Sequence, residues 1–273
     1  MLFSLLLLIS LTCSFASYDE MFNKYALNIS QASYCVSSPS SWNCATCDKS
    51  IEITDIIENG GVRALNALDH INAKIIVAFR GSSNIQNWIN NIQFSHVKPY
   101  NDYEDVSVDK GFYKALGYVK EPIFDFIENI VPKYPNYNIL ITGHSLGGAL
   151  STLVSFEMVY IHGINSGKIE LLTFGTPRVG NNVFKKYMLP MGVSWRTTHY
   201  YDIVPHVPEE FLDYIHISQE IWYNENSSVY KICDDEVDED NSCSNSCAPT
   251  KCTSTSDHMT YLNISMGNDG LCE

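Results

Sequence analysis

Between Ala73 and Tyr201 the chain alternates short apolar runs with amphipathic stretches. Ala73–Arg80 (AKIIVAFR), Tyr137–Thr142 (YNILIT), Ile169–Phe174 (IELLTF) and Ser194–Tyr201 (SWRTTHYY) are rich in β-branched, aromatic or leucine residues. Each is bounded by Gly, Asn or Pro, the marks of strands. Gly111–Val131 instead repeats apolar residues at helical spacing through Phe112, Leu116, Val119, Ile123, Phe126, Ile127 and Ile130. Pro122 interrupts that stripe and predicts a kink or a restart. Leu146–Tyr160 and Asn182–Met188 are further helix candidates. Strand–helix–strand alternation predicts an α/β fold with a mostly parallel central sheet and helices on both faces. Catalytic groups in such sheets gather beyond the carboxyl ends of the strands.

One of those ends carries Gly143-His144-Ser145-Leu146-Gly147-Gly148, between a strand candidate and a helix candidate. Gly-x-Ser-x-Gly in that setting has the form of a nucleophile elbow, a strained turn that holds the serine hydroxyl above the sheet. The plain alternative is a Gly-rich turn whose serine only caps the helix. A serine nucleophile needs a histidine base, and the histidine a carboxylate to orient it. In this fold the acid and then the histidine follow the serine along the chain. Asp202 stands directly beyond the last strand candidate, whereas its competitors Asp213 and Asp257 close no comparable run. Of the later histidines, His206 is four residues from that acid and too close for a separate returning loop. His216 lies inside an apolar run and reads as structural, bonding a backbone carbonyl. His258 follows a cysteine-rich loop and suits the base.

A tetrahedral intermediate also requires N–H or O–H donors. The backbone N–H of Leu146 and the N–H and hydroxyl of Ser82, in the turn after Ala73–Arg80, are the candidates. Next comes Asn84–Ile92, whose Ile85, Trp88, Ile89 and Ile92 are spaced i, i+3, i+4, i+7, with Asn or Gln elsewhere. On pattern alone this is a surface helix packing its stripe on the core. Its place beside the oxyanion turn also suits a hinged lid that would show Trp88 and the isoleucines to a lipid surface.

The N-terminus changes the setting. Leu2–Leu11 is almost wholly apolar, and Ser14-Phe15-Ala16-Ser17 offers small residues for cleavage. Residues 1–17 therefore read as a secretory signal peptide, although the segment lacks Lys or Arg, and 18–273 as one mature domain. Later apolar runs are too short to span a bilayer, so no stable membrane anchor is expected. The mature part keeps eight cysteines, Cys35, Cys44, Cys47, Cys233, Cys243, Cys247, Cys252 and Cys272, an even set that reads as four disulfides. Sequons at Asn28, Asn226 and Asn263 fit a secreted glycoprotein. The net charge of −14 argues against nucleic acid or an anionic membrane as partner. Asp234–Asp240 places six of those charges in seven residues; the spacing is not that of an EF-hand, and the run reads as a solvated loop.

At these residues the chain resembles the secreted class 3 lipases, the filamentous-fungal type of triacylglycerol lipase. The matching segments are Ala78–Ser83 (AFRGSS), Lys110–Phe112, Ile141–Leu150 (ITGHSLGGAL), Thr173–Asn181 (TFGTPRVGN), Arg196–Pro205 (RTTHYYDIVP) and His258–Tyr261 (HMTY), from roughly Ala64 to Leu262. The resemblance implies an α/β-hydrolase fold with a lid helix, with Ser145 as nucleophile, Asp202 as acid and His258 as base. It implies Ser82 and the Leu146 N–H as oxyanion donors, and Ile85–Ile92 as an interfacial lid. It further implies Cys35–Cys272 and Cys44–Cys47 bridges, leaving three pairings for Cys233, Cys243, Cys247 and Cys252. A zinc site at those four is the rival reading. Two features depart from the family pattern: Cys233–Cys252 is longer and more acidic, and the lid lacks Lys or Arg.

The expected protein is a secreted, monomeric serine hydrolase without cofactor or metal. It would cleave carboxylic esters of acylglycerols at an oil–water interface through an acyl-enzyme. A phospholipase or feruloyl-type esterase on the same scaffold is the near alternative, although the apolar lid counts against the feruloyl type. An inactive lipid-binding relative is the far one, and would be expected to have lost part of the constellation.

Overall fold

The computed structural model describes residues 17–91, 93–234, 239–248, 250–267 and 272. Its centre is an eight-stranded sheet whose spatial order follows the chain: β1 (Ile51–Asn59), β2 (Val62–Asp69), β3 (Lys74–Phe79), β4 (Asn138–His144), β5 (Ile169–Phe174), β6 (Val193–His199), β7 (Gln219–Tyr223) and β8 (Tyr230–Ile232). The run β3 to β7 is parallel; β1, β2 and β8 add antiparallel edges. This is the α/β-hydrolase arrangement expected, with helices on both faces.

On one face α1 (Glu20–Cys35) crosses β3, β4 and β5. On the other lie α3 (Lys110–Gly117) and α5 (Leu146–Tyr160), with α4 (Lys120–Ile130) continuing from α3; α2 (Ile85–Asn91), α6 (Asn182–Met188) and the short α7 (Thr255–His258) complete the set. Strands buried on both faces are mostly apolar, as β5 is apart from Glu170 and Thr173, and α5 is buried from Gly147 to Met158 because it is covered all round.

Three differences from the pattern-based expectations have local causes. Gly111–Val131 is two helices, and the break falls at Tyr118–Val119, before Pro122. The proline sits in the first turn of α4, where its missing N–H interrupts no helical bond. Strand β6 ends at His199 because Tyr200 turns with φ 38°. The hairpin β1–β2 and helix α1 escaped the apolar pattern. α1 buries Asn23, Ser30, Gln31 and Ser33 beside Ala26, Leu27 and Ile29, so its inner face is half polar.

The cysteines close as Cys35–Cys272, Cys44–Cys47, Cys233–Cys243 and Cys247–Cys252. The last two settle the open pairing, and with their sulfurs bonded to each other those four cysteines cannot form the alternative zinc site. Of the acidic run, residues 235–238 lie outside the described residues, and one described member is not solvated. Glu239 is drawn inward to the Arg178 guanidinium at 2.8 Å, with both side chains buried. An unpaired buried guanidinium would be costly, which accounts for the inward carboxylate. Of the sequons, Asn226 and Asn263 are exposed at turns, whereas Ser30 of the first is buried in α1. No helix among the described residues is long and apolar enough to cross a membrane.

Candidate active site

Ser145 occupies the sharp turn from β4 to α5 at φ 60° and ψ −128°, a conformation a side-chain-bearing residue adopts only where its surroundings enforce it. Enforcement comes from backbone contact: a Cβ on Gly147 would lie 2.3 Å from the Phe79 carbonyl oxygen, and one on Gly143 only 2.4 Å from the Gly147 carbonyl. Glycine alone permits that approach. The same contact brings the end of β3, and the turn that carries Ser82, against the start of α5. The Ser145 N–H donates to the Phe174 oxygen at 2.9 Å, tying the turn to β5 as well.

Asp202 lies beyond β6 and is fully buried. His258 Nδ1 stands 2.8 Å and 3.0 Å from its two carboxylate oxygens. The Val204 N–H donates to Asp202 Oδ1 at 2.8 Å, and the Tyr261 hydroxyl donates to Oδ2. Burial, and then the Asp202 charge, push the Tyr261 hydroxyl well above its ordinary range, so it remains a donor. A proton on Nδ1 leaves Nε2 of a neutral His258 as an acceptor. Among the described residues Nε2 has no hydrogen-bond partner, and neither does the equally buried Ser145 Oγ.

Two neighbours connect these groups. Gly175, next to the Phe174 carbonyl that holds Ser145, has φ +54°; a Cβ there would lie 3.0 Å from both Asp202 Oδ2 and His258 Cε1. His144, the residue before the serine, donates from Nε2 to the His258 carbonyl oxygen at 2.8 Å. It accepts from the Tyr34 hydroxyl at Nδ1, also 2.8 Å. Burial lowers its pKa well below the usual histidine value, with His258 adding to the effect, so it stays neutral and fixed in one tautomer. The elbow is thus stitched to the backbone of the base candidate. His144, Tyr34 and Tyr261 were not singled out from sequence. His144 carried a signal, lying inside the elbow motif, but Tyr34 and Tyr261 acquire partners only through the fold.

The competing residues go elsewhere. His216 donates to the Pro205 carbonyl at 2.6 Å, the structural role expected of it. His206 is pushed down to about 4 by burial and then by Arg178, and lies against Cys247 Sγ. Asp257 accepts from the Tyr201 N–H, and Asp213 is exposed in a turn. Ser82 is half-buried, its Oγ accepting from the Asn84 N–H at 3.3 Å. Helix α2 starts three residues later. Asn84 caps it through the Asn87 N–H at 3.0 Å; Ile85 is buried, Ile89 half-buried, and Trp88 stacks on Phe112 at 6.3 Å between ring centroids. Ile92, the last position of the stripe, lies outside the described residues.

Residues 76–212 match the family model described as Lipase (class 3). The chain is 34% identical over 258 residues to the lipase of Rhizomucor miehei, covering 91% of this chain and 69% of that lipase. In three dimensions it is similar to the refined structure of the Rhizomucor miehei triacylglyceride lipase, with a TM-score of 0.85, 32% identity, and coverage of 94% of this chain and 98% of that one. A further structure, described as a triacylglycerol lipase whose catalytic centre is a serine protease triad, matches with a TM-score of 0.85 and 33% identity over 94% of this chain and 98% of its own.

Proposed function

We propose a mechanism from the premise that this chain belongs to the class 3 lipase family. It is a lipase, a carboxylic ester hydrolase acting on acylglycerols. In our reading Ser145 Oγ attacks the ester carbonyl while His258 Nε2 takes its proton. Asp202 holds the imidazole in the required tautomer and stabilises its positive charge. The Leu146 N–H, at the positive end of α5, and Ser82 donate to the oxyanion. His258 returns the proton to the departing alcohol, leaving an acyl-Ser145; it then activates water, which releases the acid.

The observation that carries this reading is the pair of buried, unpartnered atoms, Ser145 Oγ and His258 Nε2, behind an otherwise saturated network. Ser30 Oγ, Ser227 Oγ and His206 Nδ1 are also unpartnered among the described residues, but only Ser145 and His258 are joined by one network. In it His144, next to the serine, bonds the His258 carbonyl, and Asp202 bonds the His258 imidazole. We further assign α2 as a lid. With Ser145 fully buried, substrate entry requires movement, and the nearby stripe of Ile85, Trp88 and Ile89 is what a non-polar interface would stabilise once turned outward. Secretion through residues 1–17 and a monomeric state belong to the same proposal; four disulfides support an oxidising compartment. The test is labelling by a serine-reactive phosphonate, followed by peptide mapping. Label on the elbow peptide, with parallel loss of p-nitrophenyl ester hydrolysis, supports the assignment; label elsewhere rejects it.

A further inference from the structure

Phe211 is 83% exposed and Leu212 beside it 40%, on a single turn of 3-10 helix, Glu210–Leu212. An exposed apolar side chain on its own needs no explanation, but two in succession on a braced turn do. The bracing comes from both sides. Buried Arg178 donates to the Pro208 carbonyl at 2.8 Å and pairs with Glu210 at 3.3 Å. His96 donates to the Leu212 carbonyl at 2.8 Å. Just beyond, the buried Tyr214 ring stacks on His96 with centroids 4.1 Å apart and bonds Asp109. The chain therefore presents Phe211 outward from a rigid support.

The position of the turn identifies what it meets. It lies on the loop that leaves Asp202, at the catalytic end of the sheet. Its support is shared with Phe94 and His96, in the segment that leaves α2; Phe94 also packs on Tyr214. The turn therefore adjoins the base of the lid. Glu209, Glu210 and Asp213 flank the two apolar side chains, and the chain as a whole carries −14. Anionic headgroups are repelled by such a rim, while an uncharged surface is not.

We propose that Phe211 and Leu212 form a fixed apolar foot that seats the protein on an uncharged lipid surface beside α2. This deepens the lipase reading and rests on it. The foot acts before catalysis and independently of lid movement, because its support is already formed with Ser145 buried.

The test separates adsorption from chemistry. Adsorption of the Ser145→Ala protein, and of the same protein carrying Phe211→Asp or Phe211→Trp, is measured on triolein droplets stabilised by phosphatidylcholine. It is also measured on vesicles of pure phosphatidylcholine and of equimolar phosphatidylcholine and phosphatidylglycerol. Hydrolysis of dissolved p-nitrophenyl butyrate is measured with Ser145 intact. Phe211→Asp is expected to weaken adsorption to the neutral surfaces about tenfold, with Phe211→Trp retaining it and the dissolved-ester rate unchanged. Asp213→Asn is expected to strengthen adsorption to the phosphatidylglycerol vesicles. Unchanged adsorption in Phe211→Asp, a parallel fall in dissolved-ester turnover, or a preference of the parent for anionic vesicles would overturn the proposal. Absence of ester turnover in the parent would instead count against the mechanism proposed for Ser145, leaving the adsorption result to stand alone.

Discussion

The two halves of the site are held by different means. The elbow around Ser145 is built from backbone packed on backbone, with β4 and α5 meeting through Gly143 and Gly147 and the Phe79 carbonyl filling the remaining space. The segment that delivers His258 crosses a long, acidic, cysteine-rich excursion, Cys233–Cys252, fastened by two short disulfides, the Arg178–Glu239 pair and a bridge between Asp202 and Ser254. One half is precise because nothing else fits there; the other because discrete fasteners hold it. The elbow therefore tolerates almost no added volume, whereas the loop tolerates sequence change as long as its fasteners remain.

Four predictions bear on that contrast. Ser145→Ala is expected to lower ester turnover about 10⁶-fold while leaving the thermal midpoint in place, which separates chemistry from packing at the same position. Retained turnover on long-chain esters would place the nucleophile elsewhere. Arg178→Met is expected to cost about 3–5 kcal/mol, because Glu239 and the Pro208 carbonyl lose a buried partner; adding Glu239→Gln should recover part of it. A denaturant titration that showed no recovery would mean the pair is not the fastener. Gly147→Ala is expected to cost about 3 kcal/mol or more and to abolish activity with it, since the new Cβ meets backbone and not a movable side chain. If the variant stayed stable and active, the elbow would be looser than its contacts indicate. Replacing Cys247 and Cys252 together with serine is expected to cost about 2 kcal/mol and to lower kcat more than it raises KM, because the loosened loop misplaces His258. Comparing kcat and KM in the two proteins checks this.

A smaller, graded effect comes from pH. His144 and His216 have pKa values held well below normal, chiefly by burial, and His206 is lowered to about 4. The unfolded chain binds protons at these sites near pH 6.5 while the folded protein does not, so stability falls as pH drops below about 6.5. For His206 the decline runs down to about pH 4. Urea midpoints measured between pH 7.5 and pH 4.5 should fall steadily, and His216→Gln should flatten the slope; a flat parent profile would contradict the assignment. His216 belongs to neither the elbow nor the loop, so it tests the burial argument without touching the chemistry.

Legibility in the sequence followed the same division. Ile169–Phe174, Leu146–Tyr160 and Asn182–Met188 were readable to the residue because period and boundary agreed. The hairpin β1–β2 carried a turn signal at Asn59-Gly60-Gly61, but the inward and outward positions of β1 do not alternate cleanly. Helix α1 was hidden by its polar inner face. Of the site, the elbow and the chain order of Ser145, Asp202 and His258 could be read, since chain order and turn chemistry are local or ordinal properties. Tyr34, His144 and Tyr261 could not be placed, because their importance lies in partners that are distant along the chain.

By itself the sequence determined the strand–helix rhythm, the glycine-flanked serine, the candidates for acid and base, and an even set of cysteines. These are set by spacing, residue type and backbone freedom, which act over a few residues. Tertiary structure alone decided that Cys233 pairs with Cys243 and Cys247 with Cys252, and that Glu239 turns inward to Arg178. Each is a choice among chemically equivalent groups, and only the packing that desolvates one of them and supplies its partner can make it.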